Sequence, residues 1–372
     1  MQADGYIIAN EKSGHYVSGI RSTGPTPSKQ QNNNNRIIYD LKSGGADEDA
    51  FNLKLWQRYI RNALRQQERL LSYSEVQGEY DLREVLSEYI REKRNVIASP
   101  DRIIIGAGVQ CLLNVLCSLI KTRDTVSFPD NSFRQGISLF EAYGFDVHTR
   151  YKDAKIIYVS PSHMTSYGDV MPTKRRLELV RHSEKMNSLI IEDDYDNDFM
   201  YHTKPTPSLY ALSNAGNVVY MGSFSNVLIP AIRISFMVLT DELANEFNLS
   251  KDKFAQTASK TEQIALCGYI RDGHIKTQTR KVRRHYTSKA RQLLNCIQEQ
   301  IPFIESSLSE NSLQVKLKAE FRKNTGIFEE RGISAYIKKF EDDKLEMVLS
   351  PSAIKESDIP EVVSILKSVF TD

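Results

Sequence analysis

Between residues 103 and 239, short runs rich in β-branched and aromatic residues alternate with longer stretches of helical periodicity. The strand candidates are Ile103–Ile105, Thr125–Phe128, Phe145–Thr149, Lys155–Val159, Ser188–Ile191, Val218–Met221 and Ile234–Leu239. Val109–Lys121, Ser132–Tyr143 and Thr173–Lys185 suit crossover helices between them. Crossover helices cover both faces of a sheet, so its strands read as near-continuous apolar runs. The alternation predicts an α/β fold with seven strands. Helices at Phe51–Gln67 and Leu82–Lys93 precede it. After Leu239 the pattern turns helical, through Gln263–Asp272 and a long basic helix from about Lys276 to Gln300. The remaining residues mix short strands and helices, as a smaller α+β lobe does.

The chain has 372 residues, and single cores stop growing at roughly 250–300, so two subdomains are expected. Residues 5–17 form two β-prone runs around Asn10-Glu11-Lys12-Ser13-Gly14, a hairpin signal. An isolated hairpin is marginal in water, so this one reads as detached from something it packs against. Pro25, Pro27 and the run Asn32–Asn35 mark a linker after it. With 49 basic and 47 acidic residues the net charge is +2, which gives no global attraction to nucleic acid. No apolar run approaches the roughly 20 residues that span a bilayer, and Met1–Gly5 lacks the features of an export leader. Cys111, Cys117, Cys267 and Cys296 show no metal-ligand spacing. Cys111 and Cys117 read as buried small hydrophobes, and the expected location is the reducing cytoplasm.

Three loops at predicted strand ends carry candidate chemistry, since open α/β sheets bind ligands there. Gly106-Ala107-Gly108-Val109-Gln110 follows a strand and opens a helix, whose free N–H groups suit an anion. Glu192-Asp193-Asp194-Tyr195-Asp196 is acidic; its Asp194, Asp196 and Asp198 spacing is calcium-like, but Phe199 stands where that loop requires glycine and Pro205 where it requires glutamate. The third loop is Met221-Gly222-Ser223-Phe224-Ser225-Asn226-Val227-Leu228-Ile229-Pro230-Ala231-Ile232-Arg233-Ile234-Ser235. Ser223 and Ser225 alternatively cap local backbone, and Arg233 alternatively pairs with Asp193 or Asp194. His163 reads as a loop residue and not a base, and Lys281, Arg283 and Arg284 as a solvated helix face.

That third loop resembles the pyridoxal-phosphate segment of fold-type-I aminotransferases, in the version found in MocR/GabR-type transcriptional regulators of the GntR superfamily. The likeness extends in consistent order to Glu192–Asp196, Pro161-Ser162-His163, Gly106–Gln110 and Gln263–Leu266. It also reaches the opening hairpin, which is similar to the end of the family's winged-helix wing. The resemblance implies a seven-stranded, mostly parallel sheet with a smaller α+β lobe. It implies a wing remnant at 1–18, a linker at 19–45, a large domain at 46–260 and a small domain at 261–372.

Roles follow from the same resemblance. Asp193 would face the pyridine nitrogen of pyridoxal 5'-phosphate, Tyr195 the ring hydroxyl and Phe133 the ring face. Gly108, Val109, Gln110, Ser223, Ser225 and Arg233 would hold the phosphate. Two departures oppose catalysis: Asn226 stands where the family's cofactor-bound lysine belongs, and Ala353 where an arginine clamps the substrate carboxylate. Ser166-Tyr167-Gly168 also replaces the family's Pro-Thr-Gly. The expectation is a non-catalytic homodimer that senses an unknown small-molecule effector, with any cofactor bound non-covalently. Promoter DNA would be met only through a winged-helix domain that this chain is expected to lack. Two other readings fit the same residues: an active aminotransferase carrying a lysine-to-asparagine change, and a dimerisation module without ligand.

Overall fold

A computed structural model describes residues 7–10, 14–17, 38–42, 49–162, 170–194, 207–213, 216–225, 227–309, 313–340 and 343–371. The chain divides into two units, Met1–Arg36 and Ile37–Asp372. In the first, β1 (Ile7–Asn10) pairs antiparallel with β2 (Gly14–Val17), which is the hairpin expected from the sequence.

The second unit begins with β3 (Tyr39–Asp40) and three helices, α1 (Leu53–Leu64), α2 (Gln67–Leu70) and α3 (Tyr80–Arg94). The alternating region follows: β4 (Ile103–Gly106), α4 (Val109–Leu119), β5 (Thr125–Phe128), α5 (Arg134–Ala142), β6 (Asp146–Thr149), β7 (Ile156–Val159), α6 (Thr173–Met186), β8 (Leu189–Asp193), α7 (Leu209–Leu212), β9 (Val218–Ser223) and β10 (Ser235–Val238). Helices α8 (Asp241–Leu249), α9 (Lys260–Arg271) and α10 (His274–Gln300) lead to the last part. This holds β11 (Glu305–Leu308), β12 (Val315–Glu320), α11 (Gly326–Glu330), β13 (Ile333–Ser334), β14 (Tyr336–Lys339), β15 (Lys344–Leu349) and α12 (Ile359–Thr371).

All seven expected strands enter one sheet, in the order β4-β10-β9-β8-β7-β5-β6. Every pair is parallel except those of β10, which runs antiparallel to both β4 and β9. Side chains alternate between two buried layers, as strand geometry requires. Ile103, Ile105, Ile190, Val218 and Tyr220 pack under α1, α3, α9 and the first half of α10. Ile104, Val126, Ile191, Val219 and Met237 pack under α4, α5 and α8. The edge strand β6 exposes Asp146 and His148, which blunts it against pairing with another chain. Among the described residues no helix is long and apolar enough to cross a membrane.

A third core joins the sheet β11-β12-β15-β14 to α12 and the second half of α10. The boundary between cores therefore falls inside α10, between Tyr286 and Leu293, later than the expected 260/261 division. An unbroken amphipathic helix gives no sequence sign of where its partner changes. Lys281 and Arg284 are exposed on it.

Two expectations need correcting. Residues 38–42 belong to the third core and not to a linker: β3 pairs in parallel with β13, Leu41 is fully buried, and the Ser350 N–H donates to the Leu41 carbonyl at 2.9 Å. A two-residue strand is too short to show periodicity. Cys117 is buried as expected, but Cys111 is only partly so. Six residues along a helix turn the side chain by about 240°, off the buried face.

Ile297, fully buried in α10, tests the third core. Ile297→Ala should destabilise the fold by about 2–5 kcal/mol, seen as a lower urea midpoint.

Candidate functional site

Strand register gathers the candidate residues at one edge. Ser235, the first residue of β10, lies opposite both Gly106 and Ser223. Asp193 lies opposite Met221, and Val159 opposite Glu192. The Gly106–Val109 turn, Ser223–Ser225, Arg233 and Asp193 thus emerge where the parallel strands end and β10 begins.

The first half of the candidate site is the turn at Gly108 and the loop that carries Arg233. Gly108 has φ +95°, and a Cβ there would lie 2.3 Å from Arg233 Nη2, so only glycine lets the guanidinium rest against this backbone. Arg233 follows a 3-10 turn at Pro230–Ile232 and takes φ 50° itself. That left-handed conformation costs a non-glycine residue about 1–2 kcal/mol, and the burial of Ile232 and Ile234 on either side holds it. The Ala107 N–H donates to Thr257 Oγ1 at 3.0 Å, fixing the turn. Val109 and Gln110 open α4, and the first N–H groups of a helix lack intrahelical acceptors. Ser223 Oγ accepts the Ser225 N–H at 3.3 Å and lies 3.3 Å from Ser225 Oγ, so it caps the loop and keeps both hydroxyls together.

The second half is a row of three buried carboxylates at the end of β8. Glu192 accepts the N–H groups of Leu209 and Tyr210 at 2.8 and 3.0 Å, at the start of α7. Burial pushes its pKa up to about 7, and the neighbouring charge of Asp194 adds to this. Asp194 accepts from Arg94 Nε at 2.6 Å, Tyr220 at 2.7 Å and Ser162 at 2.9 Å. Burial opposes its ionisation, but the charge and hydrogen bonds of Arg94, with those of Tyr220 and Ser162, hold it below the usual carboxylate range. The cation that Asp194 meets is thus Arg94, not Arg233. Asp193 accepts the phenol of Tyr158.

Phe133 stacks on Tyr158 with centroids 5.4 Å apart, and its ring crosses Gly136, where a Cβ would come within 2.2 Å of it. Tyr195, Asn226, His163 and the segment 166–168 lie outside the described residues. Ala353 is exposed in a 3-10 turn after β15. Thr257, Tyr158 and Arg94 escaped the sequence reading. Arg94 ends the charged run Arg91-Glu92-Lys93-Arg94, where nothing in the sequence marks it from the other three. Among the described residues no cluster of ligating side chains could hold a metal ion.

A seven-stranded α/β sheet with one antiparallel strand defines a class of fold, and solved structures share it. The archaeal alanine:glyoxylate aminotransferase superposes with a TM-score of 0.76 at 21% identity, covering 89% of this chain and 90% of that one. Kynurenine aminotransferase of Pyrococcus horikoshii gives 0.75 at 19%, covering 90% of each. The fold is that of the fold-type-I aminotransferases.

Sequence relatives narrow the class, although no protein-family model matches. The uncharacterized HTH-type transcriptional regulator YhdI of Bacillus subtilis is 32% identical over 346 residues, 86% of this chain and 73% of the relative. YdeL of the same organism is 29% identical over 322 residues, covering 81% and 70%. The probable rhizopine catabolism regulatory protein MocR of Rhizobium meliloti is 29% identical over 256 residues, covering 64% and 52%. The chain belongs to the MocR-type family of HTH transcriptional regulators with an aminotransferase-like domain.

Two variants test the buried charges. Arg94→Met leaves Asp194 without its cation and should cost about 3–5 kcal/mol in denaturant unfolding. Glu192 ionises less readily folded than unfolded, so its contribution is complete below about pH 4.5 and is lost as pH rises through about 7. The unaltered protein should therefore lose on the order of 2–3 kcal/mol relative to Glu192→Gln between these limits. Melting curves across that range check it, and a constant gap between the two proteins contradicts it.

Proposed function

We propose that this regulator's aminotransferase-like part senses a small molecule, binds pyridoxal phosphate or a similar phosphorylated pyridine non-covalently, and does not catalyse transamination. What carries this reading is the Arg233 guanidinium lying against Gly108 at the start of α4, on a loop whose sequence continues from Ser225 to Asn226. The loop cluster suits a phosphate dianion: one cation beside Gly108, two hydroxyls and the first N–H groups of α4 lie at the same edge, and no carboxylate is paired with Arg233 among the described residues. Gly108, Val109, Gln110, Ser223, Ser225 and Arg233 would hold the phosphate, Phe133 the ring face, Tyr195 the ring hydroxyl and Asp193 the ring nitrogen.

When bound, pyridoxal phosphate supplies an aldehyde and an electron-withdrawing ring. Asn226 offers an amide whose nitrogen is not nucleophilic, so the chain's own residues hold the ligand without capturing it. Ala353 presents no charge to a substrate carboxylate, so an amino acid is not held in reacting geometry. In this reading the protein works as a homodimer and lies in the cytoplasm, and promoter DNA is met through a winged-helix module to which the β1–β2 hairpin belongs.

Calorimetry with pyridoxal phosphate, and mass spectrometry after borohydride, test this. Reversible binding without a fixed adduct is expected, and Asn226→Lys should gain a pyridoxyl adduct at the substituted position without transamination. A stoichiometric adduct on one lysine of the unaltered chain would show covalent cofactor chemistry, and no binding at all would leave only a dimerisation module. Arg233→Gln should weaken binding by roughly tenfold to a hundredfold.

A further inference from the structure

Tyr158 is the third of the four residues of β7 and is almost fully buried. Its ring is the middle one of three. It stacks on Phe128 with centroids 4.8 Å apart and planes 28° apart, and on Phe133 at 5.4 Å and 27°. Phe133 is held in turn across Gly136, where any side chain would displace it. A buried ring stacked on two others is restricted in its movement, so packing limits the direction of its hydroxyl. That hydroxyl donates to Asp193 Oδ2 on the neighbouring strand. β7 and β8 pair in parallel with Val159 opposite Glu192, and the phenol crosses one strand spacing to reach the residue after that pair.

The other two carboxylates of the row are engaged elsewhere. Glu192 is held by two backbone N–H groups of α7, and Asp194 by Arg94, Tyr220 and Ser162. Asp193 is the one tied to a neutral phenol that stacks on the expected ring-facing residue. An ionised carboxylate accepts through both oxygens. A donor fixed on one oxygen orients the group for a second donor.

We propose that Tyr158 is a positioning residue for ring recognition: its phenol, stacked on Phe128 and Phe133, aims the Asp193 carboxylate at the nitrogen of a protonated pyridine. This rests on the reading above that the edge takes a phosphorylated pyridine, and it names the group through which the ring is selected. In this reading the Tyr158 hydroxyl acts on the ring through Asp193, so its loss is felt by ligands that carry the nitrogen.

The test is calorimetry with pyridoxal phosphate and with phenyl phosphate, which has a phosphate and a ring but no ring nitrogen. The proteins are the unaltered chain, Tyr158→Phe, Asp193→Asn and the double variant, each with its fold checked by circular dichroism and melting. Tyr158→Phe keeps the ring and its stack and removes only the hydroxyl. It should weaken pyridoxal phosphate binding by roughly tenfold, the scale of a lost hydrogen bond to a charged group. It should leave phenyl phosphate unchanged and add no further loss when Asp193→Asn is already present. Equal weakening of both ligands, weakening of neither, or losses that add in the double variant overturn the proposal. An unaltered chain that binds pyridoxal phosphate no better than phenyl phosphate overturns the reading of the edge as a pyridine site, and this role with it; that result is visible before any variant is made.

Discussion

One strand runs the wrong way, and the site depends on it. β10 lies antiparallel between β4 and β9, so the connection from β9 must stay at the edge where β9 ends. A parallel strand in that place would need a crossover along the whole sheet, and the residues between 223 and 235 would be spread over its length. The reversal instead confines them to a tight loop. Its first residues bring two hydroxyls and its last brings Arg233, all beside the turn that starts α4. The left-handed backbone at Arg233 is the local cost of that economy of path, and the glycine at 108 is the space the guanidinium requires.

Buried charge organises the neighbouring strands. Arg176 is fully buried and donates to the carbonyls of Met171, Pro161 and Pro207 at 3.0, 3.1 and 3.2 Å. One guanidinium thereby joins the end of the β7 loop, the approach to α6 and the approach to α7. Arg94 does the same for α3 and β8 through Asp194. Such groups are costly to bury and add little net stability, but an unpaired alternative is so unfavourable that they exclude other packings. Around a ligand edge this matters more than the mean strength of the core.

The sheet was legible because all of its strands but the polar edge strand β6 are apolar runs bounded by polar turns, and such an alternation leaves few other arrangements. The turn at Gly108 and the Ser223–Arg233 loop beside it were legible as candidates through glycine, serine and arginine in loops at strand ends, where residue type and position coincide. Partners contributed from a distance were not. Tyr158 reads as an ordinary apolar strand residue, and Arg94 as one charge in a run of four, because what distinguishes them is register across strands and a neighbour 100 residues away. Leu41 and the change of partners along α10 were hidden for a related reason: a two-residue strand has no period, and an amphipathic helix looks the same whichever core it faces.

That helix has a mechanical consequence. α10 spans 27 residues, about 40 Å, with neither glycine nor proline inside it, so it behaves as a single stiff rod. One half is embedded in the core of the large sheet and the other in the core of the small one. Flexure between the two lobes is then excluded from the rod and displaced to its ends, at Gly273, whose φ is +77°, and at Pro302 just past the last turn. A tilt of about one degree at one end moves the other by roughly 0.7 Å over that length. The rod is a lever, and it turns a small tilt in one lobe into a larger displacement at the other.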